Sequence, residues 1–134
     1  MAKQLILVSH GLFSEELRKS TEMIMGPQDS IHSVCLLPEE GSDDFEAKFL
    51  ALTKELDDVV VLADLMGGTP CNVVARLIMQ GQPFELYAGM NMPMVIGFIN
   101  ASLTGEDVDL KNFGAENIHR VNDLLNVSDD DDDE

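Results

Sequence analysis

Residues 59–70 read VVVLADLMGGTP: an apolar run, an aspartate, two more apolar residues, a glycine pair and a Thr-Pro pair. The run from Val59 to Ala63 is short and mostly β-branched, which is typical of a strand buried on both faces of a parallel sheet. Thr69 is a favoured N-cap residue and Pro70 is favoured at the first helical position. The sequence therefore predicts a buried strand, a glycine-rich turn and a helix in direct succession.

Three further apolar runs have the same character as this strand. They are Gln4 to Ser9, Ile31 to Leu37 and Phe84 to Ala88, and helical patterns lie between the four runs. Short apolar runs that alternate with helices are typical of repeated βαβ units. We therefore expect an α/β fold in which a mostly parallel sheet is covered by helices on both faces.

Capping residues and breakers set the expected limits of the helices. In chain order they are Glu15 and Glu16 in the first turn of helix one, Gly26 at its end, Ser42 as N-cap of helix two, Gly81 at the end of helix three, and Pro93 to about Asn100 for helix four. The pattern is weaker beyond this point. Residues 107–115 predict a short helix or a loop, and residues 117–122 predict a fifth strand.

Charge limits the classes of partner. The 134 residues include 8 Lys and Arg and 25 Asp and Glu, for a net charge of −17, and residues 129–134 are acidic throughout. An acidic surface repels phosphate backbones and anionic lipid, so neither nucleic acid nor a membrane surface is expected as a partner. We expect residues 1–127 to form one domain and residues 128–134 to be a disordered acidic tail.

The sequence indicates no metal site, cofactor or membrane insertion. Cys35 and Cys71 lack the spacing of a disulfide or metal pair, and His32 and His119 have no neighbours at metal-ligand spacing. Structural roles are expected for all four residues. The apolar runs are too short to cross a bilayer, and the N-terminus lacks the long apolar region of a secretory signal. A cytoplasmic domain is expected.

Polar residues follow the first and third predicted strands. His10 ends the first strand, Asp64 follows the third, and Gly67, Gly68 and Thr69 lead into a helix. Ligands of open α/β sheets bind beyond the carboxyl ends of the strands. An imidazole becomes a competent nucleophile when a carboxylate holds its other ring nitrogen, and backbone N–H groups at a helix start bind anions. The pattern predicts a nucleophilic His10 oriented by Asp64 beside a phosphate-binding turn.

Each of these features also has an ordinary structural explanation. The alternative for His10 is a surface histidine at a strand end, for Asp64 a loop acid or helix cap, and for Gly-Gly-Thr-Pro a plain tight turn. The Thr69 hydroxyl either caps the helix or donates to a bound phosphate. The turn has neither the lysine of a P-loop nor the glycine spacing of a dinucleotide site, so nucleotide binding is not indicated.

A second group of residues predicts a docking rim. Met66, Met90, Asn91 and Met92 lie at the same predicted edge of the sheet. Methionines usually fill cores, but around a site they form an adaptable docking surface.

Three segments, in this order, also resemble a known family. Ser9-His10-Gly11, the stretch LADLMGGTPCN at 62–72 and the stretch GMNMPM at 89–94 are similar to IIA components of the mannose/fructose/sorbose-type phosphoenolpyruvate-dependent sugar phosphotransferase system. The resemblance covers about residues 3–103. It implies that this chain is a phosphotransferase without a cofactor. The chain departs from the family pattern in having no Ala/Pro-rich hinge and no attached IIB domain, so a separate polypeptide is expected.

The resemblance also implies roles for individual residues. His10 would accept a phosphoryl group on Nε2 from the carrier HPr and pass it to the IIB component during sugar uptake. Asp64 would orient His10 through Nδ1, and Gly68 and Thr69 would lie beside the phosphate. The implied fold is a three-layer sandwich with four parallel strands and an antiparallel fifth. In that family the fifth strand is exchanged between the subunits of a homodimer.

Three alternatives remain open from the sequence. The run ending at Asp64 resembles a receiver domain with a phosphoacceptor aspartate, although the acidic pair after strand one that such a domain needs is replaced by Ser9-His10. The phosphotransfer subunit of the dihydroxyacetone kinase system also begins with a strand-end histidine. A regulatory module that is phosphorylated without onward transfer is the third.

Overall fold

The computed structural model describes residues 3–125. The expected alternation of strands and helices is confirmed in this range. In chain order the elements are β1 (Gln4–His10), α1 (Phe13–Met25), β2 (Ile31–Leu36), α2 (Ser42–Thr53), β3 (Val59–Ala63), α3 (Thr69–Met79), β4 (Glu85–Ala88), α4 (Met92–Thr104) and α5 (Leu110–Glu116).

The sheet has the strand order β2-β1-β3-β4, and every neighbouring pair is parallel. Alternate residues of the two central strands enter different cores. Leu5 and Leu7 of β1 pack with side chains from α1, α4 and α5, whereas Ile6 and Val8 pack with Phe45 and other side chains from α2 and α3. Helices therefore cover both faces, which confirms the three-layer arrangement and explains why the central strands have no polar face.

The strand order creates a crevice between β1 and β3. After β1 the chain turns to the α1 face of the sheet, and after β3 it turns to the α3 face on the opposite side. The two connections diverge, and the space between them lies at the carboxyl ends of two adjacent strands. This is the switch point at which open α/β sheets bind ligands.

The first residues of two helices differ from the prediction. Gly41, not Ser42, is the N-cap of α2, because the Asp44 carboxylate accepts the Gly41 N–H at 2.9 Å and the helix begins one residue earlier. Gly68, not Thr69, is the N-cap of α3, so Thr69 already has helical conformation. The Thr69 hydroxyl does not cap the helix.

The predicted strand at 117–122 is not formed in the single chain described. The sheet of residues 3–125 has four strands, and residues 121–125 are helical. A strand needs a partner with free backbone groups, and no pairing to the edge strand β4 forms here. Residues 107–115 resolve into a loop and α5, which Asp109 caps by accepting the Asn112 N–H at 3.2 Å.

Two expectations concern the chain beyond its core. The predicted acidic tail at 128–134 lies outside the described residues. Within residues 3–125, no helix combines the length and apolar character needed to span a bilayer.

Candidate functional site

The structure brings His10 and Asp64 together at the crevice between β1 and β3. The Asp64 Oδ2 atom lies 2.8 Å from His10 Nδ1, and the two side chains are 11% and 49% exposed respectively. A carboxylate can only accept, so His10 Nδ1 carries the hydrogen of this bond. In the neutral imidazole, Nε2 is then the nitrogen with a free lone pair.

Backbone N–H groups fix the carboxylate of Asp64. Its Oδ2 also accepts the His10 N–H at 2.9 Å, and its Oδ1 accepts the Leu65 N–H at 2.9 Å. The Asp64 backbone N–H extends the pairing of β3 with β1 by donating to the Val8 carbonyl at 3.1 Å. The acid that faces the ring is therefore oriented by the sheet itself.

A buried hydroxyl orders the turn that follows His10. Ser9 is fully buried; its hydroxyl accepts the Ser14 N–H at 2.7 Å and donates to the Gly11 carbonyl at 3.2 Å. Gly11 has φ +57° and donates its N–H to the Leu36 carbonyl at 2.7 Å. This role of Ser9 was not predicted from the sequence. The sequence feature that could have indicated it is a hydroxyl at the end of the apolar run LILV, because buried polar groups are usually hydrogen-bonded.

The two glycines of the turn before α3 serve different purposes. Gly67 has φ +88°, a conformation that L side chains rarely adopt, and the space around it is open. Gly68 has an ordinary φ of −87°, but a Cβ atom there would lie 2.5 Å from His10 Cε1 and 3.2 Å from Nε2. The N-terminus of α3 therefore lies directly against the free edge of the imidazole.

The first turn of α3 contains one stabilising side-chain hydrogen bond and one half-buried hydroxyl group. Asn72 Nδ2 donates to the Gly67 carbonyl at 3.1 Å, a hydrogen bond that was not predicted from the sequence. Within residues 3–125 the half-buried Thr69 hydroxyl has no hydrogen-bond partner. Amide groups of a helix start next to a nucleophilic nitrogen can bind an anion attached to that nitrogen.

The docking-rim prediction is wrong for Met90, which is 6% exposed and packs in the core beside α4. Met92 is half-buried against the same core. Asn91 is the N-cap of α4: its Oδ1 accepts the Met94 N–H at 3.1 Å and its Nδ2 donates to the Gly114 carbonyl at 3.1 Å. These two hydrogen bonds join α4 to α5, so Asn91 has a structural role.

Exposed apolar residues directly follow His10 and Asp64 in the chain, and of the predicted rim only Met66 belongs to them. We call these residues the apolar rim. Its members are the exposed apolar residues that directly follow His10-Gly11 and Asp64, namely Leu12, Phe13, Leu65 and Met66. Three of them were not predicted, because the residue pattern alone does not show which apolar side chains stay at the surface next to a strand end.

The remaining histidines lie elsewhere. His32 is half-buried on β2, with Nε2 2.9 Å from Gln4 Oε1, and burial together with the Arg18 guanidinium lowers its pKa. His119 is exposed in the segment after α5. Among residues 3–125, no hydrogen bond joins either histidine to His10 or Asp64.

The fold and the crevice define an α/β domain with a single oriented histidine at the switch point of its sheet, and comparison with known proteins identifies the family. Residues 4–112 match the family model described as PTS system fructose IIA component. The chain belongs to the mannose family of EIIA components of the sugar phosphotransferase system.

Relatives support the assignment. The chain is 30% identical over 99 residues to the mannose-specific EIIAB component of Escherichia coli, covering 72% of this chain and 31% of that protein. It is 31% identical over 94 residues to the fructose-specific EIIA component of Bacillus subtilis, covering 68% and 64%. The chain therefore spans about a third of the first relative's length.

Solved structures agree with both the fold and the family. The mannose/sorbose-specific IIA subunit of Enterococcus faecalis superimposes with a TM-score of 0.76 at 35% identity, covering 89% of this chain and 94% of that one. The PTS IIA protein associated with the fucose utilization operon of Streptococcus pneumoniae gives 0.82 at 25% identity, covering 93% and 97%.

Replacing Asp64 by Asn tests what orients the ring. The neutral amide has one acceptor oxygen for the three N–H groups that the Asp64 carboxylate accepts, so the bond that fixes the hydrogen on His10 Nδ1 loses its charge assistance and competes with two backbone donors. Long-range ¹H–¹⁵N spectra of the imidazole report the tautomer directly. We expect the wild type to show the Nδ1–H form and Asp64→Asn to show a larger share of the Nε2–H form, in which Nε2 has no free lone pair; identical spectra would contradict the assignment.

Proposed function

We propose that this chain is a cytoplasmic phosphocarrier of a sugar phosphotransferase system. It accepts a phosphoryl group on His10 from phospho-HPr and passes it to a IIB component during sugar uptake. The observation that carries the proposal is the 2.8 Å bond from His10 Nδ1 to Asp64, which leaves Nε2 as the free nucleophilic nitrogen on a half-exposed ring. Family membership supplies the class of reaction.

The transfer requires no metal and no proton abstraction. The Nε2 lone pair attacks phosphorus in the donor phosphohistidine, and the Nε2–P bond forms as the donor N–P bond breaks. The donor imidazole leaves with the bonding electron pair. His10 becomes positively charged with its Nδ1–H retained, and Asp64 stabilises that charge at short range. Positioning and electrostatics are what phosphoryl transfer mainly asks of a protein.

The first turn of α3 supports a phosphate site at Gly67, Gly68 and Thr69. Gly68 lies against the Nε2 edge of the ring, and the Thr69 hydroxyl is free to donate. Because the backbone N–H groups at a helix N-terminus carry partial positive charge, they would stabilise the phosphoryl oxygens on both sides of the transfer.

The apolar rim is the surface that we assign to partner docking. Phe13 and Met66 are 50% and 84% exposed, and they follow His10 and Asp64 closely in the chain. Exposed apolar side chains around a reactive group are typical of protein-binding sites. HPr and the IIB component would both contact this rim, because each must reach the same nitrogen.

Phosphorylation with labelled phosphoenolpyruvate, enzyme I and HPr tests the phosphoacceptor. We expect His10→Ala to lose all label, because it removes the nucleophile, and His119→Ala to be labelled like the wild type. The label should survive alkali and be lost in acid, as phosphohistidine is. Equal labelling of His10→Ala would overturn the proposal, and alkali-labile label would instead indicate an acyl phosphate on an aspartate.

The same labelled protein separates a carrier from a regulatory module. When a cognate IIB component is added, label should leave His10 and appear on IIB within the assay time. A IIA protein that keeps its label with all cognate components present would be a regulatory module. Transfer to a dihydroxyacetone kinase subunit instead of IIB would favour the dihydroxyacetone kinase system.

Substitution of Met66 tests the apolar rim. Met66→Asp places a charge in the surface that HPr would bury, so the KM for phospho-HPr should rise about tenfold, a loss of roughly 1.4 kcal/mol in binding. Met79→Asp is the matched control, because Met79 is 81% exposed at the far end of α3. Equal KM values for the two variants would show that the rim does not dock HPr.

We also propose a homodimer in which the C-terminal segment of one copy covers the β4 edge of the other. Among residues 3–125, β4 pairs with β3 on one side and has no strand on the other. A cavity of about 270 Å³ beside it is lined by Tyr87, Phe98 and Val108. Ile118 and Val121 are exposed in this single chain. Apolar side chains and a free sheet edge of this kind favour strand addition.

Light scattering coupled to size exclusion tests the dimer. We expect the wild type to have twice the mass of the chain, and the double variant Ile118→Asp with Val121→Asp to be monomeric, because buried charges would oppose strand addition. Met79→Asp again serves as the control and should remain dimeric. A monomeric wild type at micromolar concentration would overturn the dimer without affecting the phosphocarrier proposal.

A further inference from the structure

Of the glycines in residues 3–125, Gly68 is the one at which an added Cβ atom would contact His10. A Cβ atom at this position would lie 2.5 Å from His10 Cε1, 3.2 Å from His10 Nε2 and 3.4 Å from Leu65 Cδ2. A separation of 2.5 Å is shorter than real Cβ contacts, so a side chain of any kind at position 68 requires something to move.

The backbone gives no other reason for a glycine at position 68. Gly68 has φ −87° and ψ 167°, an extended conformation that any residue adopts, and it is an N-cap, where serine, threonine, asparagine and aspartate are at least as favourable as glycine. Gly67 is the opposite case, with φ +88° and nothing within 4 Å. Space for the imidazole is therefore the specific requirement at position 68.

We propose that Gly68 is a positioning residue that, together with Asp64, holds the His10 ring between two fixed walls. Asp64 bonds Nδ1 on one side, and the bare Cα of Gly68 limits the Cε1–Nε2 edge on the other. The proposal rests on the proposed function, since it concerns how Nε2 is presented to a phosphoryl donor.

The ring, and not the helix, yields when a side chain is added. Pro70 and Cys71 in the first turn of α3 are buried, and Asn72 ties the turn to Gly67. His10 is half-exposed and can rotate toward solvent. Rotation breaks the 2.8 Å bond to Asp64, so the added methyl group removes the orientation of the ring and moves Nε2 away from the helix N-terminus. Misplacement of a reacting atom by about 1 Å can cost a hundredfold in rate.

Gly41 provides a matched control. It is the N-cap of α2, with φ −109° and ψ −175°, and a Cβ atom there meets nothing within 4 Å. Gly41→Ala thus makes the same chemical change at the same kind of helix position without touching His10. Gly68→Ser is the second test variant, because it adds the same Cβ while supplying a preferred N-cap side chain.

The experiment measures the ring and the rate separately. We expect Gly68→Ala and Gly68→Ser to change the long-range ¹H–¹⁵N spectrum of His10 and to slow phosphoryl acceptance from phospho-HPr about a hundredfold. Gly41→Ala should match the wild type in both. Thermal unfolding should rank Gly68→Ser at or above Gly68→Ala, which separates ring displacement from loss of the helix cap.

Several outcomes would overturn the inference. Three are functional: a wild-type ring spectrum in both Gly68 variants, a changed spectrum at an unchanged rate, or recovery of the rate by Gly68→Ser. The fourth is failure of both variants to fold, which would show that the glycine is required for folding. A wild-type protein that phospho-HPr does not label would refute the proposed function instead. The ring spectra would still decide whether Gly68 holds the imidazole.

Discussion

The parallel pairing of β1 with β3 is the constraint on which the site depends. It aligns Val8 with Ala63, and the Asp64 N–H continues the ladder by one more bond to Val8. The residues that follow, His10 and Asp64, are 54 positions apart in the chain yet emerge side by side. The two connections leave toward opposite faces of the sheet and therefore diverge at the carboxyl ends of β1 and β3.

Around this pairing, the imidazole is held by one side chain, which backbone groups fix in turn. Asp64 is the only side chain among the described residues that hydrogen-bonds the His10 ring, and two backbone N–H groups fix the Asp64 carboxylate in turn. On the other side of the ring lies Gly68 at a helix start, where an added Cβ atom would collide with Cε1. Because the backbone at strand ends and helix starts moves little, groups held by it are positioned rigidly, and this includes the His10 ring.

How much the sequence predicts depends on whether a feature is local. The central strands β1 and β3 could be predicted because each is an apolar run buried on both faces, whereas the edge strands β2 and β4 also contain polar or exposed residues. The pairing of His10 with Asp64 could be predicted because parallel strands share one edge. The caps of α2 and α3 moved by one residue, since a glycine preceded each predicted cap and Asp44 stabilised the earlier start of α2. Burial of Met90 and the contact of Gly68 with His10 depend on three-dimensional approach, which spacing along the chain does not encode.

The half-exposed position of the His10 side chain has a kinetic consequence under the proposed function. A donor that reaches Nε2 would cover the apolar rim, and an acceptor would need the same rim, so the two partners would exclude each other. Such a carrier would release its first partner before it meets the second, as in a ping-pong cycle. Either partner in its unreactive form would then be a competitive inhibitor of the other. The ratio of phosphorylated to unphosphorylated partners would thus set the flux through the carrier.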